Sequence, residues 1–294
     1  MRYAIKADGL MKGYAAFTLG PVSLDVPAGT VVGLVGANGA GKTTLIKCLL
    51  GLVEPDAGEL EVLGDPLTRI SGLSARTKER IGVVLDTCAF PQEMRVRDVA
   101  QVGRIAYRWW DQAAFDGLTA ASGIVGAKRV KELSRGMGMK LSLAFALSHA
   151  PDVLILDEAT AGLDPLARDG MLDMLRAFME DEAHSILMAS HITSDLERLA
   201  DRVICLEAGQ VRFDLPKDAI CDEAGIVRCR AAQVDELIAQ GALTTAGVRI
   251  MREAYSVSVL VPDRFAFAKV HPGIPVDRVS LDEYLMMTLK GEVL

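Results

Sequence analysis

Residues 36–43 read GANGAGKT, a match to GxxxxGK(S/T), and stand between the apolar run Val31 to Val35 and a helical LIKCLL segment. No other feature of the chain narrows its fold so much, because a loop of this composition works only between a strand and a helix. Gly36, Gly39 and Gly41, with Ala37, Asn38 and Ala40 between them, let the backbone wrap an anion with its N–H groups pointing inward. The helix that follows adds the positive end of its dipole. Lys42 can then reach the terminal phosphates of a nucleotide, Thr43 offers a hydroxyl to Mg²⁺, and Thr44 extends the same turn. The plain alternative is a glycine-rich turn that happens to contain Lys-Thr, and the flanking strand and helix argue against it.

Apolar runs of strand length recur at Val31 to Val35, Ile81 to Leu85, Val153 to Leu156, Ile186 to Ala189 and Val203 to Leu206. Runs apolar on both faces suit central parallel strands covered by helices. Helical patterns at 42–51, 96–107, 136–149, 165–180 and 192–199 alternate with them, which predicts an α/β sheet with crossover helices. The segment from Asp86 to Ala150 breaks the alternation and reads as a helical insertion, about 87–150. The first 30 residues and Glu59 to Leu63 read as short strands ended by Gly and Pro, an antiparallel edge subdomain. After about residue 222 a helical AQVDELIAQ, an alternating YSVSVLV and a helical LDEYLMMTLK predict a small α+β extension. The expected domains are therefore 1–221 and 222–294. Dimer contact, regulation and edge-covering all remain open roles for the second.

Composition removes several classes of function. The 294 residues are 50% apolar and 24% charged, with a net charge of −7, so nucleic acid is not an expected partner. Five scattered cysteines with no CxxC spacing predict neither a disulfide framework nor a zinc centre, and fit a reducing cytosol. The N-terminus lacks a signal pattern and no run approaches 18 apolar residues, so the chain is expected to act at a membrane only from outside it.

A second acidic feature ends the strand-like VLILDE. Asp157 and Glu158 fall at its carboxyl end, where open α/β sheets bind ligands. Asp157 suits the Mg²⁺ shell and Glu158 suits polarising a water aimed at the γ-phosphate.

Together with LSRGM at 133–137, AGLD at 161–164, Ser190-His191 and Tyr14 in LMKGY, these motifs resemble the nucleotide-binding subunits of ATP-binding cassette (ABC) transporters. The stretch GMGMKLSLAFALSHAPDVLILDEATAGLDP further resembles ATPases paired with ABC-2 type permeases, mostly exporters. The resemblance implies a P-loop NTPase cassette that hydrolyses ATP with Mg²⁺, with Glu158 and His191 catalytic and Tyr14 stacked on adenine. It implies that Leu133, Ser134, Arg135, Gly136 and Met137 form a signature gripping the γ-phosphate held by a second ATPase subunit, a copy or a relative. Asp164 falls in the D-loop. It also implies an integral membrane permease as partner, and a cytoplasmic, peripheral place on the inner face of the cell membrane. A soluble ABC-type ATPase acting on ribosomes or DNA is the competing expectation, and a nucleotide-gated module without turnover a third.

The chain departs from the family pattern in three places. Asp86 stands where the family usually has a glutamine that senses Mg²⁺, with Gln92 the competing candidate. Arg135 and Met137 replace a common Gly and Gln, and Ala159 a common Pro. Ser134 can cap the helix beginning near Gly136 and leave its first amides free for an anion. Trp109 and Trp110 read either as an interface anchor or as core packing. The methionines at 137, 139, 171, 174 and 179 read as core, and His149, His184 and His271 as ordinary core or surface histidines.

Overall fold

A computed structural model describes residues 2–67, 72–241, 243, 247–252 and 256–293. Contacts divide the chain into Met1–Asp214 and Leu215–Leu294, a boundary ahead of residue 222.

The first unit runs β1 (Tyr3–Tyr14), β2 (Phe17–Pro27), β3 (Val31–Val35), α1 (Lys42–Leu49), β4 (Ala57–Val62), β5 (Asp65–Pro66), α2 (Ala75–Lys78), β6 (Ile81–Val84), α3 (Val96–Ala106), α4 (Gln112–Ala121), α5 (Arg135–Leu147), β7 (Val153–Asp157), α6 (Pro165–Phe178), β8 (Ser185–Ala189), α7 (Thr193–Leu199), β9 (Arg202–Glu207) and β10 (Gln210–Pro216). β2, β1, β4 and β5 form an antiparallel edge sheet. The larger sheet has the order β10-β9-β3-β8-β7-β6, and the pairings from β9 to β6 are parallel.

Every side chain of β3, β7 and β8 is buried, as the unbroken apolar runs require of strands covered on both faces. One core joins Ile5 and Leu24 of the edge sheet, Leu45 and Leu49 of α1, and Leu34, Ile155 and Leu187 of the parallel sheet. α1 is thereby anchored to both sheets, which fixes the loop at its N-terminus.

The insertion has its own core around Val99, Phe115 and Leu141. Of the two indoles, one packs in the core and the other is exposed. Trp110 packs against Phe115 and Phe145 at 5.3 and 5.2 Å, while Trp109 is 66% exposed beneath the Arg108 guanidinium. Met139 and Met171 are buried, and Met137 and Met174 pack on the insertion core. His149 is buried, its Nδ1 3.1 Å from the Glu79 carbonyl and its ring stacked on Tyr107.

The second unit contains β11 (Gly225–Cys229), α8 (Ala231–Ala239), β12 (Arg249–Arg252), β13 (Val257–Val261), α9 (Arg264–Val270), β14 (Asp277–Arg278), α10 (Leu281–Lys290) and β15 (Glu292–Val293). Its antiparallel sheet has the order β14-β11-β13-β12-β15. The alternation in YSVSVLV predicts one solvated face, but all five residues of β13 are buried; Tyr255 lies outside the described residues. Val257, Val259 and Val261 join one apolar cluster with Val234 and Leu237 of α8, and Leu260 joins another with Met287 of α10. Helices on both faces leave no solvated side.

Candidate functional site

The parallel register brings three loops together. Ala189 at the end of β8 is level with Leu34 of β3 and with Asp157 of β7, so the loops after β3, β7 and β8 leave the sheet side by side. These loops carry Gly36–Gly41, Glu158 and His191. Gly36 has no room for a side chain, since a β-carbon would lie 2.4 Å from the Leu206 carbonyl oxygen. Gly41, with φ of 110°, turns the chain directly into α1.

A cleft of about 530 Å³ opens over this edge, lined by Ala16, Phe17, residues 37–44 and Glu158. Every residue from Ala37 to Thr44 lines it, and Gly36 does not. Tyr14 does not; half exposed, it pairs across the β1–β2 hairpin with Phe17, and Phe17 is the aromatic that faces the cleft. Phe17 lines the cleft and is not among the residues named from the sequence.

The Lys42 ammonium is buried and donates to the carbonyls of Gly36 at 2.7 Å and Ala37 at 3.4 Å. Its Nζ also lies 3.5 Å from Glu158 Oε1. The other oxygen, Oε2, accepts from the His191 backbone N–H at 3.2 Å and meets the His191 ring Nδ1 at 2.6 Å. Lys42 at the start of α1, and Glu158 and His191 from the loops after β7 and β8, thus form one polar chain. Glu158 holds this place with φ of 54°, a left-handed conformation that costs a non-glycine residue about 1 kcal/mol or more. Its N–H donates to the Ala189 carbonyl at 2.9 Å, which pins it.

Asp157 is buried, and its Oδ1 has no partner among the described residues. Burial raises its pKa above the usual carboxylate range, with the Glu158 and Asp86 charges adding to the effect; a hydrogen bond from Thr43 and the Lys42 charge oppose it. A buried carboxylate oxygen left unpaired beside a hydroxyl is costly unless a cation completes it. The pair Asp157 and Thr43 therefore fits a Mg²⁺ ion, a hard cation satisfied by few protein oxygens.

The signature residues lie elsewhere. Ser134 caps α5 by accepting the Met137 N–H at 3.2 Å, Leu133 packs on the insertion core, and Gly136 is pressed against α6, where a β-carbon would meet Ala167 at 2.7 Å. None of residues 133–137 lines the cleft around Lys42. Ser134 and Arg135 line a smaller cavity of about 170 Å³ with Asp86 and Gln92, so both candidates for the missing glutamine face the signature. Asp164 caps α6, its carboxylate accepting the Ala167 N–H at 2.9 Å.

A strand-loop-helix phosphate cradle on a parallel sheet, with two carboxylates at the neighbouring strand end, defines a P-loop nucleotide-binding cassette. The family described as ABC transporter matches residues 19–161. The Nod factor export ATP-binding protein I of Paraburkholderia xenovorans is 34% identical over 236 residues, covering 76% of this chain and 74% of that protein. The bacitracin transport ATP-binding protein BcrA of Bacillus licheniformis is 31% identical, covering 74% of this chain and 71% of that protein. A Nod factor export protein of Burkholderia lata is 38% identical, and there the alignment spans only 62% of the relative's length. Among solved structures, an ATP-binding subunit of an ABC transporter is similar with a TM-score of 0.65 at 25% identity, over 81% of this chain and 98% of that one. A dimeric post-hydrolysis cassette bound to ADP and Pi shares the fold with a TM-score of 0.64 at 18% identity, over 72% of this chain and 98% of that one. The chain belongs to the ABC transporter family, as one of its ATP-binding cassettes.

Proposed function

We propose that this chain binds ATP in the cradle formed by residues 36–44, hydrolyses it to ADP and phosphate, and powers a separate membrane permease of the ABC-2 type, acting as an exporter. The observation that carries the activity is the Lys42–Glu158–His191 chain at the carboxyl edge of the sheet. When phosphate enters, Lys42 exchanges the Gly36 carbonyl for phosphate oxygens, a stronger charge-assisted bond. Glu158 is then released to accept the proton of an attacking water, and His191, already bonded to it, holds its orientation. Asp157 and Thr43 hold the Mg²⁺, which neutralises charge on the nucleotide phosphates. The Asp86 charge acts on Asp157 and would bear on a metal held there.

Ser134 and Gly136 lie outside the cleft of their own chain, which supports a second cassette, identical or related, presenting its signature to this cleft. The permease docks on the insertion, where Val102, Ile105 and Trp109 are exposed by 40%, 80% and 66%. Among the described residues no helix is long and apolar enough to cross a membrane; in this reading the permease provides the membrane-spanning part. Such an arrangement puts the chain in the cytoplasm, on the inner face of the cell membrane. The name of one set of relatives, Nod factor export, supports export as the direction.

A pull-down of the tagged chain from native membranes in mild detergent, with mass spectrometry of stoichiometric partners, tests this. A multi-span membrane protein is expected in the eluate. Ribosomal proteins, or a soluble partner with nothing from the membrane, would move the function to a soluble ATPase.

A further inference from the structure

Arg135 opens α5 between the Ser134 cap and the buried Gly136. Its guanidinium lies along Gly162, where a β-carbon would sit 3.1 Å from Cζ, 3.2 Å from Nη1 and 3.5 Å from Nε. Gly162, with φ of 69°, belongs to the segment 159–164 that leads from Glu158 to α6. The remaining nitrogen, Nη2, donates toward the Asp86 carbonyl at 3.5 Å, just past the end of β6. β6 and β7 are adjacent parallel strands, with Val84 level with Leu156. One planar side chain of the insertion therefore touches the segments that follow both strands, and one of those segments begins with Glu158.

We propose that Arg135 is a positioning residue, a clasp that fixes the start of α5 against the segment after Glu158 and against the end of β6. The start of α5 is seated by Gly136 against Ala167 and by Leu133 and Met137 on the insertion core. Arg135 adds a reach to the segments after β6 and β7, which ties the direction in which Ser134 and the first amides of α5 face to those two segments. Only a flat group fits, because a planar guanidinium can lie against a peptide and still donate at its edge, whereas an ammonium does neither in the same geometry. Gly162 suits the other side, with a left-handed backbone and no β-carbon to crowd the guanidinium.

The activity part of the test rests on the hydrolysis proposed above, and the exchange part does not. Full-length wild type, Arg135→Gly and Arg135→Lys are compared by amide hydrogen exchange and by phosphate release with Mg²⁺ and ATP. In Arg135→Gly, exchange at residues 159–164 and 86–88 should quicken at least about fivefold while peptides of α1 stay unchanged. The kcat should fall about tenfold with KM within about twofold, since misplacing a group costs turnover more than binding. Arg135→Lys should recover less than half of the lost kcat. Unchanged exchange at 159–164, a rise spread evenly over the whole first unit, or full recovery by lysine would each overturn the clasp. A wild type that releases no phosphate would instead refute hydrolysis, and the exchange comparison would still decide the clasp.

Discussion

Lowering the pH should unfold this protein in part through one residue, His149. The ring is 2% exposed, stacked on Tyr107 with centroids 3.9 Å apart, and its Nδ1 meets the Glu79 carbonyl. Burial holds the imidazole neutral, lowering its pKa from 6.5 to about 4. Between those values the unfolded chain takes up a proton that the folded chain refuses. The stability is therefore complete above about pH 6.5 and is lost as pH falls toward 4. The gap between the two values, at ~1.36 kcal/mol for each pH unit, amounts to about 3 kcal/mol, of which about 2 kcal/mol is lost by pH 5. His149→Phe keeps an aromatic ring against Tyr107 but has no titrating nitrogen; losing the Glu79 contact costs it about 1 kcal/mol at every pH alike. Urea unfolding at pH 7 and pH 5, followed by tryptophan fluorescence, measures the difference, with Trp110 a reporter in the same insertion. Between the two pH values wild type should lose about 2 kcal/mol more than the variant. Equal losses, within about 0.5 kcal/mol, would refute the buried neutral histidine.

Glu158→Gln should lower phosphate release by about 10²-fold or more while ATP binding, read by a fluorescent analogue, is kept; normal release by that variant would sink the assignment of the base. Lys42→Ala should weaken ATP binding by about 10- to 100-fold, matching about 1.5–3 kcal/mol for a charge-assisted bond, and unchanged affinity in calorimetry would count against the cradle. Asp86→Gln should alter the Mg²⁺ dependence of turnover, and a superimposable Mg²⁺ titration would remove Asp86 from the metal's surroundings. Gly103→Ala would push a methyl to 2.3 Å from the Trp110 ring, so its thermal midpoint should drop by an amount matching about 1–3 kcal/mol; an unchanged midpoint would contradict the packing of that indole.

The central strands were legible because strands covered on both faces need unbroken apolar runs, and Val31 to Val35, Val153 to Leu156 and Ile186 to Ala189 have them. The cradle was legible because its glycines answer to backbone geometry rather than to distant neighbours. β13 misled for the opposite reason: serines in YSVSVLV imitate a solvated face, and only the helices packed on both sides reveal Ser258 as buried. Phe17 was not legible because two aromatics stand directly across the β1–β2 hairpin from each other, and nothing local in the sequence tells which of them lines the cleft. Neither the left-handed backbone of Glu158 nor the contact of Arg135 with Gly162 leaves a local signature. Both arise where segments far apart in sequence meet.

The strand order has a consequence for how the protein is made. β8 lies between β3 and β7, which share no pairing of their own. A ribosome releases the Lys42 loop early and Glu158 much later, yet at that moment the two strands still lack the one that joins them. Only when Ala189 has emerged can β8 enter the gap, so a nascent chain already bearing both motifs has no assembled nucleotide cleft. ATP can reward folding only at this late step. A message cut short before Ser185 would yield a polypeptide that carries the P-loop and the LDE stretch but lacks the strand that sets them level.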